Sequence, residues 1–166
     1  MSELLRDRSL IRGSPSDVWA LLDDSAALAR VLPGAESIVA TGEGTFHGVL
    51  ASKLQFLTVR ADVDAVFRDA DPPRHLRLDM AGRPRGLAGS FTVSVPFDLT
   101  PVVEADSPDG SDVPETEVSY SVDLHVTGRL ASFGAPLLRE TLRRQVAVLL
   151  ANVDRELADR RDSARP

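Results

Sequence analysis

Val118-Ser119-Tyr120-Ser121-Val122-Asp123-Leu124-His125-Val126, followed without a break by Thr127-Gly128-Arg129-Leu130, is the stretch that decides the fold. Apolar side chains hold every second position, Val118, Tyr120, Val122, Leu124 and Val126, against Glu117, Ser119, Ser121, Asp123, His125 and Thr127. Successive strand side chains point to opposite faces, so this alternation predicts a strand dry on one side and wet on the other. From Arg129 the period lengthens to that of a helix. Leu130, Phe133, Leu137, Leu138, Leu142, Val146, Leu149, Leu150, Val153 and Leu157 form one broad stripe. Arg139, Glu140, Arg143, Arg144, Asp154 and Arg155 fall mainly on the opposite side. This predicts a helix from about Arg129 to Ala158, roughly 45 Å long, closing a single domain over residues 1–158. Residues 159–166 are charged and unpatterned and read as a flexible tail.

Upstream of this unit the same period of two recurs. Val59, Ala61, Val63, Ala65 and Phe67 alternate with Arg60, Asp62, Asp64 and Arg68; Leu76, Leu78 and Met80 alternate with Arg77 and Asp79. Phe91, Val93, Val95, Phe97 and Leu99 alternate with smaller or polar residues. Strands are also expected over Leu4–Arg12, Ser37–Thr41 and Thr45–Ser52, the last two joined through Gly42-Glu43-Gly44. Around Phe46–Leu57 the parity is open, because a bulge there would switch the two faces. Asp71-Pro72-Pro73 and Gly82-Arg83-Pro84-Arg85-Gly86 read as turns, and Glu104–Glu115 as an exposed loop. Ser14-Pro15-Ser16-Asp17 is a helix start, with Ser14 as cap, Pro15 at the first helical position and Asp17 bonding back. A second short helix is predicted over about Ser25–Arg30, stopped by Pro33-Gly34.

Composition bounds the function classes. With 166 residues, 43% apolar and 27% charged, the chain has the make-up of one globular domain. A net charge of −6 argues against a nucleic-acid partner, which requires a basic face. The absence of cysteine removes disulfides, thiolate nucleophiles and cysteine-ligated metals. The first residues show no signal-peptide pattern and no stretch approaches the roughly 20 apolar residues of a spanning helix. The location expected is the cytoplasm, with at most peripheral contact at the inner face of the membrane.

Six or seven alternating strands without intervening helices make an antiparallel sheet whose dry face needs a cover, and the terminal helix supplies it. The predicted fold is therefore α+β: a curved antiparallel sheet wrapped around a long C-terminal helix, with two short helices near the N-terminus. This is the helix-grip arrangement. A bent sheet and a straight helix need not touch along their whole length, and the gap is a natural apolar pocket. Its expected wall comprises Phe67, Leu78, Met80, Phe91, Val93, Phe97, Val122 and Leu124 from the strands, with Leu137, Leu138 and Leu149 from the helix. Thr141 and Gln145 interrupt the inward stripe one turn apart; they either orient a polar head group or bond to backbone at the stripe's edge. Tyr120, the sole tyrosine, requires a partner for its hydroxyl, which is either a backbone carbonyl in the core or a ligand. Trp19 reads as core packing beneath the small helices. No catalytic residue and no metal site emerges. His47, His75 and His125 lack metal-ligand spacing, Gly82, Gly86 and Gly89 fit a hairpin, and Asp62, Asp64 and Asp79 fall on the wet face. Arg83 and Arg85 flank Pro84 at a hairpin tip, either as solvated side chains or as a basic patch facing anionic lipid or an acidic partner.

Three segments carry a family likeness. Asp17-Val18-Trp19-Ala20-Leu21-Leu22-Asp23 with Leu32-Pro33-Gly34-Ala35-Glu36 resembles the N-terminal signature of the CoxG-like family of carbon monoxide dehydrogenase, within the START/polyketide-cyclase-like (SRPBCC) superfamily. Gly44-Thr45-Phe46-His47-Gly48 resembles that family's next hairpin. Val126-Thr127-Gly128-Arg129-Leu130-Ala131-Ser132-Phe133-Gly134 resembles its strand-to-helix junction. The Glu104–Glu115 loop is longer than the usual connection, and the hydrophobic or proline-rich extension some members carry after the long helix is missing. The resemblance implies a non-catalytic accessory of an aerobic molybdenum carbon monoxide dehydrogenase, associated with recruiting that enzyme to the membrane. Combined with an apolar pocket, it implies a bound respiratory quinone, menaquinone or ubiquinone, held without covalent attachment. Two other readings compete: a polyketide cyclase or dehydratase, which needs a buried polar pair, and an assembly factor that acts through its surface.

Overall fold

The computed structural model describes residues 2–54, 56–102 and 114–164. Among them the chain runs β1 (Ser2–Arg12), α1 (Pro15–Leu22), α2 (Ser25–Val31), β2 (Ala35–Gly42), β3 (Thr45–Leu54), β4 (Leu57–Asp71), β5 (His75–Pro84), β6 (Phe91–Val102), β7 (Glu115–Val126), a 3₁₀ segment (Gly128–Phe133) and α3 (Ala135–Ala164). The seven strands form one sheet in the order β1-β7-β6-β5-β4-β3-β2, antiparallel at every pairing. The helix-grip expectation holds.

The predicted helix start at Ser14 forms as a reciprocal cap. Ser14 Oγ accepts from the Asp17 amide at 3.1 Å, and Asp17 Oδ2 accepts from the Ser14 amide at 3.0 Å. Asp24 caps α2 in one direction only, its carboxylate accepting from the Ala26 and Ala27 amides. Strand β3 pairs with β4 without a register shift, so one parity holds throughout. Phe46, Gly48, Leu50, Ser52 and Leu54 therefore share the inner face with Val59, Ala61, Val63, Ala65 and Phe67.

The terminal helix departs from expectation at both ends. The predicted helix over 129–158 is a 3₁₀ turn followed by an α-helix, because Gly134 adopts φ +84° and Pro136 follows in the first turn. Leu130 and Phe133 thus belong to the 3₁₀ segment. At the far end α3 runs on to Ala164, so residues 159–164 are helical rather than a tail. Side chains hold this end down: Arg160 Nη2 donates to Asp24 Oδ2 at 2.9 Å, Arg161 Nη1 to the Arg12 carbonyl at 2.9 Å, and Arg30 pairs with Glu156. All seven strands reach beyond their predicted residues, and β5 runs on to Pro84, so Gly82, Arg83 and Pro84 of the expected turn belong to the strand. β6 continues to Val102 and β7 begins at Glu115; residues 103–113 of the expected loop lie outside the described residues.

Two apolar clusters close the two ends of the space between sheet and helix. The larger joins α1, α2 and the C-terminal half of α3 to β1, β6 and β7 through Ile11, Leu21, Leu28, Val118, Val153 and Leu157. The smaller lies at the opposite end, where Leu54, Val59 and Leu130 are buried against Leu87, Phe91, Val126 and Phe133.

Three carboxyls that stabilise this frame ionise more readily than usual. Glu156 is lowered chiefly by the hydrogen bond from Arg30, Asp24 by the Ala27 amide, and Asp62 by the hydrogen bond from Arg85. A carboxyl lowered in the folded state stabilises above its unfolded pKa of about 4 and loses that contribution as pH falls through the folded value. Urea midpoints are therefore expected to drop below about pH 4. The double variant Asp24→Asn, Glu156→Gln should start lower at neutral pH and fall less steeply with acid.

Candidate functional site

The inner face of the sheet and the underside of α3 do not close on each other between the two clusters. Two hollows occupy the space. The outer one, about 220 Å³, lies toward the 3₁₀ segment and is lined by Leu54, Val59, Ala61, Pro84, Phe91, Val93, Leu124, Val126, Leu130, Leu138, Thr141, Leu142, Gln145 and Val146, among others. The inner one, about 80 Å³, lies under α1 and α2 against Ile11, Val18, Leu22, Leu28, Val31, Phe46, Val63, Ala65, Phe67, Leu76, Leu99, Val118 and Val153. Leu32, Leu50, Leu78, Met80, Phe97 and Leu149 line both, and form a waist between them. Phe46 and Phe67 meet edge to face inside the inner hollow, with centroids 5.6 Å apart.

Burial values carry the signature of this space. Leu78, Met80, Phe91, Phe97, Leu124, Leu142 and Leu149 all point inward yet remain only half-buried. Close-packed core residues lose nearly all their exposure; these do not, because nothing stands opposite them. One glycine widens the wall. Gly82 faces Phe91 across β5 and β6, and a Cβ there would collide with the aromatic ring.

Polar groups on the walls are few. Thr141 Oγ1 donates to the Leu137 carbonyl one turn earlier at 2.9 Å, which satisfies it within its own helix. Gln145 Nε2 donates to Ser52 Oγ at 3.0 Å, bridging α3 to β3. Gln145 Oε1, the second amide hydrogen and the Ser52 hydroxyl proton have no partner among the described residues, and all belong to side chains that line the outer hollow. His47 borders the inner hollow, but its ring bonds Asp64 Oδ1 at 2.8 Å on the outer face. Asp62 and Asp79 likewise pair on the wet face, with Arg85 and with Arg68 and Arg77. Among the described residues no group of histidine and carboxylate side chains can hold a metal ion.

Of the residues predicted from sequence, Phe67, Leu78, Met80, Phe91, Val93, Phe97, Leu124, Leu138, Thr141, Gln145 and Leu149 border one or both hollows. Three do not. Val122 is fully buried in the main cluster, and Leu137 is half-buried in the first turn of α3, away from both hollows. Tyr120 faces inward, but where β1 and β7 meet α3; its ring stacks obliquely on Phe97 at 6.2 Å. Burial raises the pKa of its phenol, the Asp7 carboxylate adds to the rise, and Arg143 opposes it. Trp19 packs against the main cluster. Sequence reasoning missed Phe46, Leu50, Ser52 and Leu54 because Gly48 and Ser52 break the apolar series while Val49 and Ala51 add apolar residues to the other face. It also missed Leu32 and Pro33, which no strand or helix period includes.

A family model described as the G subunit of carbon monoxide dehydrogenase (CoxG) matches residues 10–158. The chain belongs to the CoxG family. No curated protein matches it. Solved structures show the same fold at low identity. A conserved protein from Geobacillus kaustophilus is 21% identical, with 92% of this chain and 93% of that one covered and a TM-score of 0.79. A protein from Thermus thermophilus is 16% identical, covering 93% and 97% at a TM-score of 0.64. An aromatase/cyclase from Streptomyces is 14% identical, covering 94% and 93% at 0.61. In this CoxG-family chain the Gln145–Ser52 bridge is the one side-chain bond between α3 and β3 among the described residues. Replacing Gln145 by Leu removes it and is expected to cost about 1 kcal/mol, measured by urea denaturation.

Proposed function

We propose that the protein is a non-catalytic carrier of a respiratory quinone, menaquinone or ubiquinone, serving a molybdenum carbon monoxide dehydrogenase of the kind its family is named for. The observation that carries this is an apolar hollow whose free hydrogen-bonding groups are concentrated at Gln145 and Ser52. A quinone carbonyl accepts hydrogen bonds, and the Ser52 hydroxyl and the second Gln145 amide hydrogen are donors. The reduced quinol donates, and Gln145 Oε1 accepts. One amide–hydroxyl pair therefore suits both redox states. Apart from Thr141, which is bonded within its own helix, the side chains directed into the hollows are otherwise apolar, which suits a prenyl tail at about 0.8 kcal/mol for each buried methylene-sized group.

The two hollows together reach only the lower limit of ordinary ligand sites, about 300 Å³. A long prenyl chain therefore requires the half-buried side chains to move outward. The cyclase reading is supported by the fold shared with the Streptomyces aromatase/cyclase. It is less favoured because, among the described residues, no ionisable side chain faces either hollow to carry a proton.

Collection of the quinone would take place at the bilayer surface. No described helix is long and apolar enough to cross a membrane. The β3–β4 hairpin instead presents Phe56, 100% exposed, beside Leu57 at 47%. Leu57 pairs with Leu54, which lines the outer hollow. Lys53, Arg83 and Arg129 are exposed at the same end without an ion-pair partner among the described residues, whereas Arg85 is neutralised by Asp62. An apolar tip within a basic collar suits an anionic membrane surface.

Native mass spectrometry of the protein mixed with menaquinone is expected to show one bound molecule, removable by solvent extraction. Leu124→Trp should fill the outer hollow and abolish uptake while the thermal midpoint is retained. A chain that stays empty in the presence of menaquinone overturns the carrier reading. Co-sedimentation with phosphatidylglycerol vesicles is expected to fall severalfold in Phe56→Asp, with little binding to phosphatidylcholine in either form. Equal sedimentation of the two proteins would remove the hairpin from the account.

A further inference from the structure

The two hollows differ in a way that assigns them separate tasks. Ser52, Thr141 and Gln145 all border the outer hollow, and the inner one has no polar side chain directed into it among the described residues. A polar group placed in the inner hollow would lose its water without gaining a partner, so an amphiphilic guest can lie in one direction only. Its polar end sits at the Gln145–Ser52 bridge and its apolar end points through the waist toward α1 and α2.

Along the direction of α3 the inner hollow ends against packed core. Ile11, Leu28 and Val153 line it and are themselves almost fully buried in the main cluster, at 2%, 4% and 4% exposure. The path along α3 from Leu138 to Val153 spans 15 residues, roughly 22 Å. A tail longer than the remaining distance meets a close-packed core, not open space. Two alanines on one face of β4 mark the two compartments: Ala61 borders only the outer hollow, and Ala65, about 13 Å further along the strand, borders the inner one.

We infer that the inner hollow is a length gauge, which makes this protein select amphiphilic ligands by the extent of their apolar tail, with Ala65 setting the limit. The inference rests on the carrier reading for the orientation of the guest but not on the guest being a quinone.

The test uses the full chain and two ligand series: 2-methyl-1,4-naphthoquinones bearing none, one, two or four prenyl units, and straight-chain alkanols from eight to eighteen carbons. Binding is measured by native mass spectrometry, with calorimetry for the soluble members. In the unmodified protein affinity should rise about fourfold per added methylene-sized group and then reach a plateau. Ala65→Phe, and more mildly Ala65→Leu, should move the plateau to shorter tails while the shortest members bind unchanged, which also shows that the variants fold. Ala61→Phe should weaken every member. If affinity ignores tail length, or the plateau stays in place in both Ala65 variants, the gauge is refuted, and tailless naphthoquinone binding would leave the quinone reading intact. If the alkanols show the plateau and its shift while no quinone binds, the gauge stands and the quinone reading falls. If neither series binds, both fall.

Discussion

A straight α-helix lies across a sheet that curves away from it, and the cavity, its division and its polarity all follow from that mismatch. The helix cannot follow the bend, so other elements close the space between them at its two ends. At one, α1 and α2 fill the angle between sheet and helix with Leu21, Leu28 and Val31. At the other, the 3₁₀ segment and the hairpin ends bring Leu130 and Phe133 against Leu54 and Val59. Between them the apolar walls face each other across a gap.

Maintaining such a gap is costly, because apolar side chains beside a void lose contacts that a packed core would supply. The frame offsets this elsewhere. Arg30 with Glu156, Arg160 with Asp24 and Arg12 with Asp154 tie the last turns of α3 to the small helices and to β1. Asn152 adds a bond to the Val31 carbonyl at 2.9 Å. Most of these bonds lie at the surface, where each contributes little alone; their effect is to fix the helix position at its far end. Nearer its start the helix is tied by Arg139 to the Leu4 carbonyl and by Gln145 to Ser52. The outer hollow thus lies under the more lightly secured half of the helix, and the inner hollow under the clamped half.

The same division separates the chemistry. Ionised groups are kept to the wet face, where Asp62, Asp64 and Asp79 are paired with arginine or histidine. Among the described residues, the walls of the two hollows carry one amide–hydroxyl bridge and a threonine satisfied by its own helix. A cavity of this composition binds through apolar contact and a few directed hydrogen bonds. Among the described residues, no ionisable side chain is directed into it.

Local sequence alone determined a large part of this molecule. The alternation of Val118 to Val126, the capping box at Ser14 and Asp17 and the apolar stripe of α3 each depend on neighbours a few residues away, so their reading survived in three dimensions. Part of the wall, mainly that of the outer hollow, was legible for the same reason: a residue such as Leu124 or Phe91 belongs to the inner face by parity. Other features were settled by partners distant in the chain. The inner parity of Phe46 to Leu54 is set by pairing with β4, since Gly48 and Ser52 hide it from any one-strand pattern. The last turns of α3 are helical with Arg160 bound to Asp24, a partner 136 residues away. The break at Gly134 and Pro136 is local too, but a continuous apolar stripe from Leu130 to Leu157 does not show it. Tyr120 was placed on the correct face and still lies outside both hollows, because a face has width and periodicity says nothing about position across it. Where a wall is filled and where it is empty depends on the spacing between sheet and helix, and only the assembled curvature decides that.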